Sequence, residues 1–300
     1  MTVSSLLPLQ PVFLSRLAAA RGLAYPLFRG VHPRSSLSGP PTEFEGHRPY
    51  VPGDDIRWID WNLFARLEEL FVKVFRVEEE VEILLMVDTS RSMTVRNSRK
   101  YQVASAAAAA LSYLAFLTSH SVSIVLYAEK ALESKGPFRH IQAFPELTAL
   151  LRSPGQGAGT DLKKSLFPFL LRRRRPVTII VLSDGFQREP LEKVVNVVRN
   201  VGEQRMVLLR MLDPEDLRPS LRGNLRIEDI ERDDGRTLLV DRALEQQLHR
   251  RIGSYFRDLE SRLRQSGVDT YGLPVDMPFE DSFLNTLFAA VPANVKAAVS

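Results

Sequence analysis

The sequence predicts an α/β protein: an open, doubly wound, mainly parallel sheet flanked by helices, with an irregular amino-terminal extension. Three observations predict it. Val81, Ile83, Leu84, Leu85, Met86 and Val87 form an almost continuous apolar run that ends at Asp88, as in a central strand buried on both faces. A helical segment follows from about Ser98 to Thr118, in which Ala104, Ala108, Leu111 and Ala115 recur at spacings of four, three and four. Further β-rich runs then alternate with helical patterns, which is how βαβ crossovers look in sequence.

In chain order, the segment from Gly30 to Gly53 is rich in Pro, Gly and Ser and cannot form a long regular helix. Phe71, Val72, Val74, Phe75 and Val77, mixed with Lys73 and Arg76, suggest an extended segment leading to the core. After the first strand and its helix, Ser121–Tyr127 reads as a second strand, and Lys130–His140 as a turn with a shorter exposed strand. Pro145–Leu151 suggests a short helix, and a glycine-rich loop at Pro154–Gly159 leads through Thr160 into a helix over Asp161–Leu171. Val177–Leu182 is another strand, Pro190–Val201 a helix and Met206–Met211 a strand. Leu225–Ile230 and Thr237–Val240 read as short extended pieces about a polar turn at Asp233–Gly235. Asp241 is placed to cap a helix carrying Leu244, Leu248, Ile252, Phe256, Leu259 and Leu263, which Gly267 ends. Val268–Tyr271 suggests a last strand, and the residues from Phe279 another helix. The expected division is an extension over 1–77, the α/β domain over 78–271, and a tail or packing helix over 272–300.

Composition narrows the function classes. Apolar residues at 44% and charged residues at 25% suit a folded chain of 300 residues. The absence of cysteine excludes disulfides, thiolate metal sites and cysteine nucleophiles, and agrees with a reducing compartment, here expected to be the cytoplasm. A net charge of +4 permits contact with nucleic acid or anionic lipid, but no pattern predicts specific nucleic-acid binding. The amino terminus lacks the basic start of a signal peptide. Tyr101–Ser119 is uncharged and near spanning length, yet its Ala- and Ser-rich middle between two strands reads as a buried soluble helix. Membrane association is therefore expected only through a partner.

The strongest local feature is Asp88-Thr89-Ser90-Arg91-Ser92, directly after the most apolar strand, where loops of an open α/β sheet converge on ligands. Asp88, Ser90 and Ser92 offer a carboxylate and two hydroxyls, and Thr160 and Asp184 follow elements that can return to the same edge. All five present oxygen, the donor preferred by Mg2+, and alternatively by Mn2+ or Ca2+. Hydroxyl ligands leave positive character on the ion, so an acidic side chain of a partner could complete its coordination. A plainer reading has Asp88 and Ser90 capping a helix or turn amides, Thr160 capping the next helix, and Asp184-Gly185 forming a turn.

This spacing resembles the metal-ion-dependent adhesion site of the von Willebrand A family. Asp88, Ser90 and Ser92 match its D-x-S-x-S element, Thr160 its loop threonine and Asp184 its later aspartate. The resemblance implies that both serines and the threonine contact the metal, while the aspartates act through water or stabilise the loop. Tyr50–Arg57, Ile59-Asp60-Trp61, Ala65-Arg66, Lys73, Phe75 and the acidic Glu78–Glu80 segment further resemble the bacterial domain-of-unknown-function-58 family, over about Gly30 to Tyr271. That family carries a von Willebrand A-like domain and implies a MoxR-like AAA+ ATPase as partner. Many of its members carry amino-terminal membrane segments, which this chain lacks as a convincing pair. The expected function is divalent-metal-dependent protein recognition or adaptor action. The alternatives are a metal-independent interaction module and a magnesium-dependent hydrolase.

Asp54, Asp55, Arg57, Trp58, Asp60, Trp61 and Arg66 suggest a structural clasp, in which Asp54 or Asp60 pairs with Arg57 or Arg66 and a tryptophan lies packed beneath. Arg172, Arg173, Arg174 and Arg175 form the densest basic run. It suits the carboxyl end of a helix or an acidic partner. Other chemistries find less support. A haloacid-dehalogenase-like phosphatase would place a second aspartate where Ser90 stands. Gly155, Gly157 and Gly159 belong to no phosphate-binding motif, and His32, His47, His120, His140 and His249 have no metal-ligand spacing.

Overall fold

The computed structural model describes residues 7, 9–28, 43–76, 81–94, 99–153, 155, 157, 159–173, 177–186, 190–201, 204–219, 221, 223–228 and 235–291. In chain order the elements are α1 (Pro11–Ala19), α2 (Tyr25–Phe28), β1 (Glu43–Pro49), α3 (Trp61–Leu67), β2 (Phe71–Arg76), β3 (Glu82–Asp88), α4 (Arg91–Thr94) and α5 (Arg99–Leu117). They continue with β4 (Ser121–Tyr127), β5 (Ala131–Phe138), α6 (Phe144–Arg152), α7 (Leu162–Leu171), β6 (Val177–Ser183) and α8 (Leu191–Asn200). The last are β7 (Arg205–Leu212), α9 (Pro214–Leu217), β8 (Gly223–Glu228), β9 (Gly235–Val240), α10 (Arg242–Gln265), β10 (Asp269–Pro274) and α11 (Phe279–Ala290).

Six strands form one sheet in the order β10-β7-β6-β3-β4-β5. All its pairings are parallel except β4 with β5, so the exposed edge strand expected after Tyr127 is the antiparallel one. The period of two along each strand sorts side chains to the two faces. Ile83, Leu85 and Val87 of β3 join Ile180, Leu182, Val207 and Leu209 in one core with α1, α5, α6 and α11. Leu84 and Met86 join Ile179, Val181 and Leu208 in the other, against α7, α8 and α10. Helices on both faces are what make the apolar runs continuous rather than alternating. Helix α5 is buried on nearly every side because its alanines let it approach sheet and neighbouring helices closely. Among the described residues no helix is long and apolar enough to cross a membrane.

The chain divides into two compact units, Met1–Val31 with Val81–Ser300, and His32–Glu80. The boundaries thus differ from those expected at 77 and 271. Phe13 and Leu17 of α1 belong to the main core, with the Phe13 ring edge-on to Phe279 at 5.6 Å and Phe283 at 6.3 Å, and Arg16 pairs with Glu280 at 3.1 Å. At the other end, β10 runs through residue 271 and α11 fills the same core. Sequence periodicity at one terminus carries no information about a partner helix 270 residues away.

In the smaller unit β1 and β2 pair antiparallel and Ile59 bridges to Val72; these two are its buried apolar side chains among the described residues. Helix α3 starts at Asp60, whose carboxylate accepts from the Asn62 and Leu63 amides, and ends at Glu68 in the left-handed region. Strands β8 and β9 pair antiparallel as a separate two-stranded sheet. Asp233 and Asp234 of its expected turn lie outside the described residues.

Candidate functional site

Strand β3 delivers Asp88 to the carboxyl edge of the sheet fully buried, and both of its carboxylate oxygens are held. Oδ1 accepts from the Ser90 amide at 2.9 Å and Oδ2 from the Ser183 hydroxyl, at the end of adjacent β6, at 2.7 Å. The plainer expectation that Asp88 satisfies a turn amide is therefore part of the geometry. Thr89 locks the loop to β4, donating to the Tyr127 carbonyl through its amide at 2.8 Å and its hydroxyl at 3.0 Å. The Ser90 carbonyl then accepts from the Met93 and Thr94 amides and starts α4. This single turn brings the Ser90 and Ser92 hydroxyls to 3.0 Å from each other.

Strand β6 delivers Asp184, which is 1% exposed. Its Oδ1 accepts from the Phe186 amide at 3.1 Å, and its Oδ2 accepts from the Lys100 ammonium at 2.9 Å. Gly185 between them takes a φ of 86°, the left-handed conformation that favours glycine. The Lys100 ammonium, on the first turn of α5, also donates to Asp216 Oδ2 at 2.6 Å. Asp216 is positioned by α9, which begins where Asp213 accepts from the Glu215 amide after β7.

Thr160 is 2% exposed. Its neighbour Asp161 donates its amide to the Ala128 carbonyl, just past β4, at 2.8 Å, which ties the loop to the same edge. Gly157 approaches Ala128 so closely that a Cβ there would lie 1.9 Å from the Ala128 Cβ, which explains a glycine better than phosphate binding does. The cap of α7 is Asp161, accepting from the Lys164 amide at 2.9 Å, and not Thr160 as the plainer reading had it.

The electrostatics follow from burial. Desolvation, reinforced by the charge of Asp184, pushes Asp88 up to about 7 from its ordinary 3.8, against the hydrogen bonds from Ser183 and Ser90. Burial likewise raises Asp216, opposed by Lys100. Burial disfavours the Lys100 ammonium, but Asp184 and Asp216 outweigh it and raise Lys100 above its ordinary value. Arg210 of β7 is pulled down by burial; its guanidinium lies 4.1 Å over the Phe256 ring and 3.0 Å from Glu260.

Asp88, Ser90, Ser92 and Asp184 thus meet at the ends of the adjacent strands β3 and β6, with Thr160 on the loop tied to the end of β4. Among the described residues no three His, Cys, Asp or Glu side chains group so as to hold a metal. A cation at this edge would therefore have to draw on hydroxyl oxygens as well as carboxylates. An octahedral Mg2+ with ligands at about 2.0–2.1 Å has adjacent oxygens roughly 2.9 Å apart, close to the 3.0 Å between Ser90 and Ser92.

The other expected groups are placed differently. Asp54 pairs with Arg48 through two 2.6 Å hydrogen bonds, not with Arg57 or Arg66. Asp55 pairs with Arg57 at 2.6 Å and accepts its amide. Asp60 bonds His47 at 2.9 Å and lies 3.6 Å from Lys73, because His47 and Lys73 are register partners on β1 and β2. Arg66 sits in the last turn of α3. Trp58 and Trp61, one or the other of which is expected beneath the clasp, are 38% and 60% exposed, and Trp61 packs edge-on to Phe64. At the opposite edge of the sheet, roughly 20 Å along β3 from Asp88 at about 3.3 Å per residue, Arg173 pairs with Glu82 and reaches the Ser123 hydroxyl at 3.3 Å. Its charge is used internally rather than offered to an acidic partner. Arg172 is exposed at the carboxyl end of α7, where a cation is favoured; Arg174 and Arg175 lie outside the described residues.

Sequence reasoning missed Lys100, Ser183 and Asp216. Asp216 stands just beyond the carboxyl end of a strand, the signal used for Asp88 and Asp184. Nothing local marks Lys100 as buried.

Comparison with known proteins places the chain. A family model described as "Protein of unknown function DUF58" matches residues 46–259. Uncharacterized proteins of Mycobacterium bovis and Mycobacterium tuberculosis are 25% identical over 246 residues, covering 80% of this chain and 77% of theirs. Two solved structures each cover 62% of this chain. One is a conserved hypothetical protein BatB from Bacteroides thetaiotaomicron, at 14% identity and a TM-score of 0.33 over 98% of that chain. The other is an aerotolerance-related membrane protein from Bacteroides fragilis, at 16% identity and a TM-score of 0.37 over 99% of that chain. With its model matched over most of the length, the chain belongs to the DUF58 family of proteins of unknown function.

Proposed function

We propose that the carboxyl edge of the sheet is a divalent-cation-dependent protein-recognition site of the von Willebrand A type, and that the protein works as an adaptor rather than a catalyst. The observation that carries this reading is the Ser90–Ser92 hydroxyl pair, 3.0 Å apart, set beside the buried Asp88–Asp184 pair at the ends of adjacent strands. Ser90, Ser92 and Thr160 would hold Mg2+, or Mn2+ or Ca2+ in its place. Asp88 and Asp184, whose oxygens are already hydrogen-bonded, would act through water and keep the loops in position. The ion would supply a Lewis-acidic position for a carboxylate of the partner. A nearby dication also favours the ionised form of Asp88, which burial disfavours.

The partner in this reading is a MoxR-like AAA+ ATPase, as the family resemblance implies, encountered in the cytoplasm. The test is a pull-down of that ATPase by the intact chain and by Ser90→Ala/Ser92→Ala, with Mg2+ or with chelator. Retention of the ATPase by the intact chain in Mg2+ alone, and loss in the double variant, is the expected result. Equal retention under all four conditions would make this a metal-independent interaction module.

A further inference from the structure

We propose that Lys100 is a tethered counter-cation of this site: it holds Asp184 and Asp216 together when no divalent ion is bound, and it weakens the binding of that ion. The proposal rests on reading the edge as a cation site. Its own ground is the placement of one ammonium, 5% exposed, between two carboxylates, Asp184 just past β6 and Asp216 on α9, which follows β7.

A buried carboxylate such as Asp184 stays ionised only with a compensating charge close by. Lysine can compensate two at once, because its ammonium is a compact point charge with three donors. Arg210 of β7, buried nearby, pairs with Glu260 and acts on Asp184 only through its charge, with Lys100 donating the hydrogen bond. With Oδ1 of Asp184 taken by the Phe186 amide and Oδ2 by Lys100, an incoming ion meets Asp184 only through water or by displacing the lysine. It also meets a fixed positive charge in a medium where charge–charge interactions are several times stronger than in bulk water. The site is therefore assembled before metal arrives, and its metal affinity is held down. A lysine that merely anchored α5 would have the same hydrogen bonds but no influence on the ion.

The experiment titrates the full chain with Mn2+ and counts the free ion by electron paramagnetic resonance, for the wild type and for Lys100→Met, Lys100→Gln and Lys100→Arg. Circular dichroism in chelator identifies the folded variants. If Lys100→Met does not fold without metal, Lys100→Gln, which keeps an amide donor toward the carboxylates, decides the matter. The neutral variants are expected to bind Mn2+ about tenfold tighter or more, a change of about 1.4 kcal/mol, while Lys100→Arg stays near the wild type. Wild-type binding with no gain in the folded neutral variants overturns the role of Lys100 and leaves the cation site standing. Binding by the neutral variants alone supports Lys100 as a replacement for the ion and overturns the metal-dependent function. No binding by any variant overturns both.

Discussion

The two units handle charge in opposite ways. At the carboxyl edge of the large sheet, Asp88, Asp184 and Lys100 are each 5% exposed or less, and their partners are the loop amides, the Ser183 hydroxyl, the Lys100–Asp184 pair and half-buried Asp216. In the His32–Glu80 unit, Asp54, Asp55 and Asp60 pair with Arg48, Arg57, His47 and Lys73 at the surface, while Trp61 stays mostly exposed. Charge buried at the first of these is costly to desolvate and needs its partners in place. Charge in the second holds irregular backbone in place: Arg48 straps β1 to the turn at Asp54, and Asp60 both caps α3 and ties it to β1.

If this contrast is right, the largest stability effect comes from removing Lys100. In chelator, Lys100→Ala strands buried Asp184 and is expected to cost about 3–5 kcal/mol in urea denaturation. A loss below about 1 kcal/mol would place Lys100 among the surface pairs. Next is the packed sheet around the site. Leu85→Ala, fully buried between Ile124 and Ile180, is expected to cost about 2–5 kcal/mol in the same measurement.

A smaller, pH-dependent effect comes from Asp88. Its folded pKa of about 7 lies above the ordinary 3.8, so the folded state binds the extra proton between those values. Its contribution to stability is greatest below about 4 and falls as pH rises through about 7. Asp88→Asn in chelator should therefore match the wild type most closely at low pH and gain on it steadily toward neutral pH. Parallel pH curves for the two proteins would show that Asp88 titrates as an ordinary carboxylate.

The smallest effect is expected in the other unit. Trp61→Ala should change stability by no more than about 0.5 kcal/mol, since the ring is 60% exposed. A large loss would show that this unit hides a packed surface, and the comparison between the units would need redrawing.

The sheet was legible in sequence because burial on both faces leaves its mark on every residue of a strand. Val81–Val87 and Val177–Leu182 needed no partner to be recognised. The aspartates ending β3 and β6 were legible for the same reason, since a carboxylate after such a run sits where loops converge. Lys100 was hidden. A lysine beside Arg99 at a helix start reads as solvated surface, and only the fold brings Asp184 and Asp216 onto its ammonium. The clasp was half legible: its acids were evident, but their partners His47, Arg48 and Lys73 lie on strands whose register a proline- and glycine-rich sequence does not specify. The place of α1 against α11 was not legible at all, because it depends on contacts between the two ends of the chain.

The central claim is that the hydroxyl pair at the end of β3 takes a divalent ion. Calorimetric titration of Mg2+ and Mn2+ into the intact chain and into Ser90→Ala/Ser92→Ala tests it most directly. Saturable binding of one ion per chain, abolished in a double variant that keeps its fold, is the predicted result. A folded wild type that binds neither ion, or a double variant that binds as well as the wild type, would contradict it.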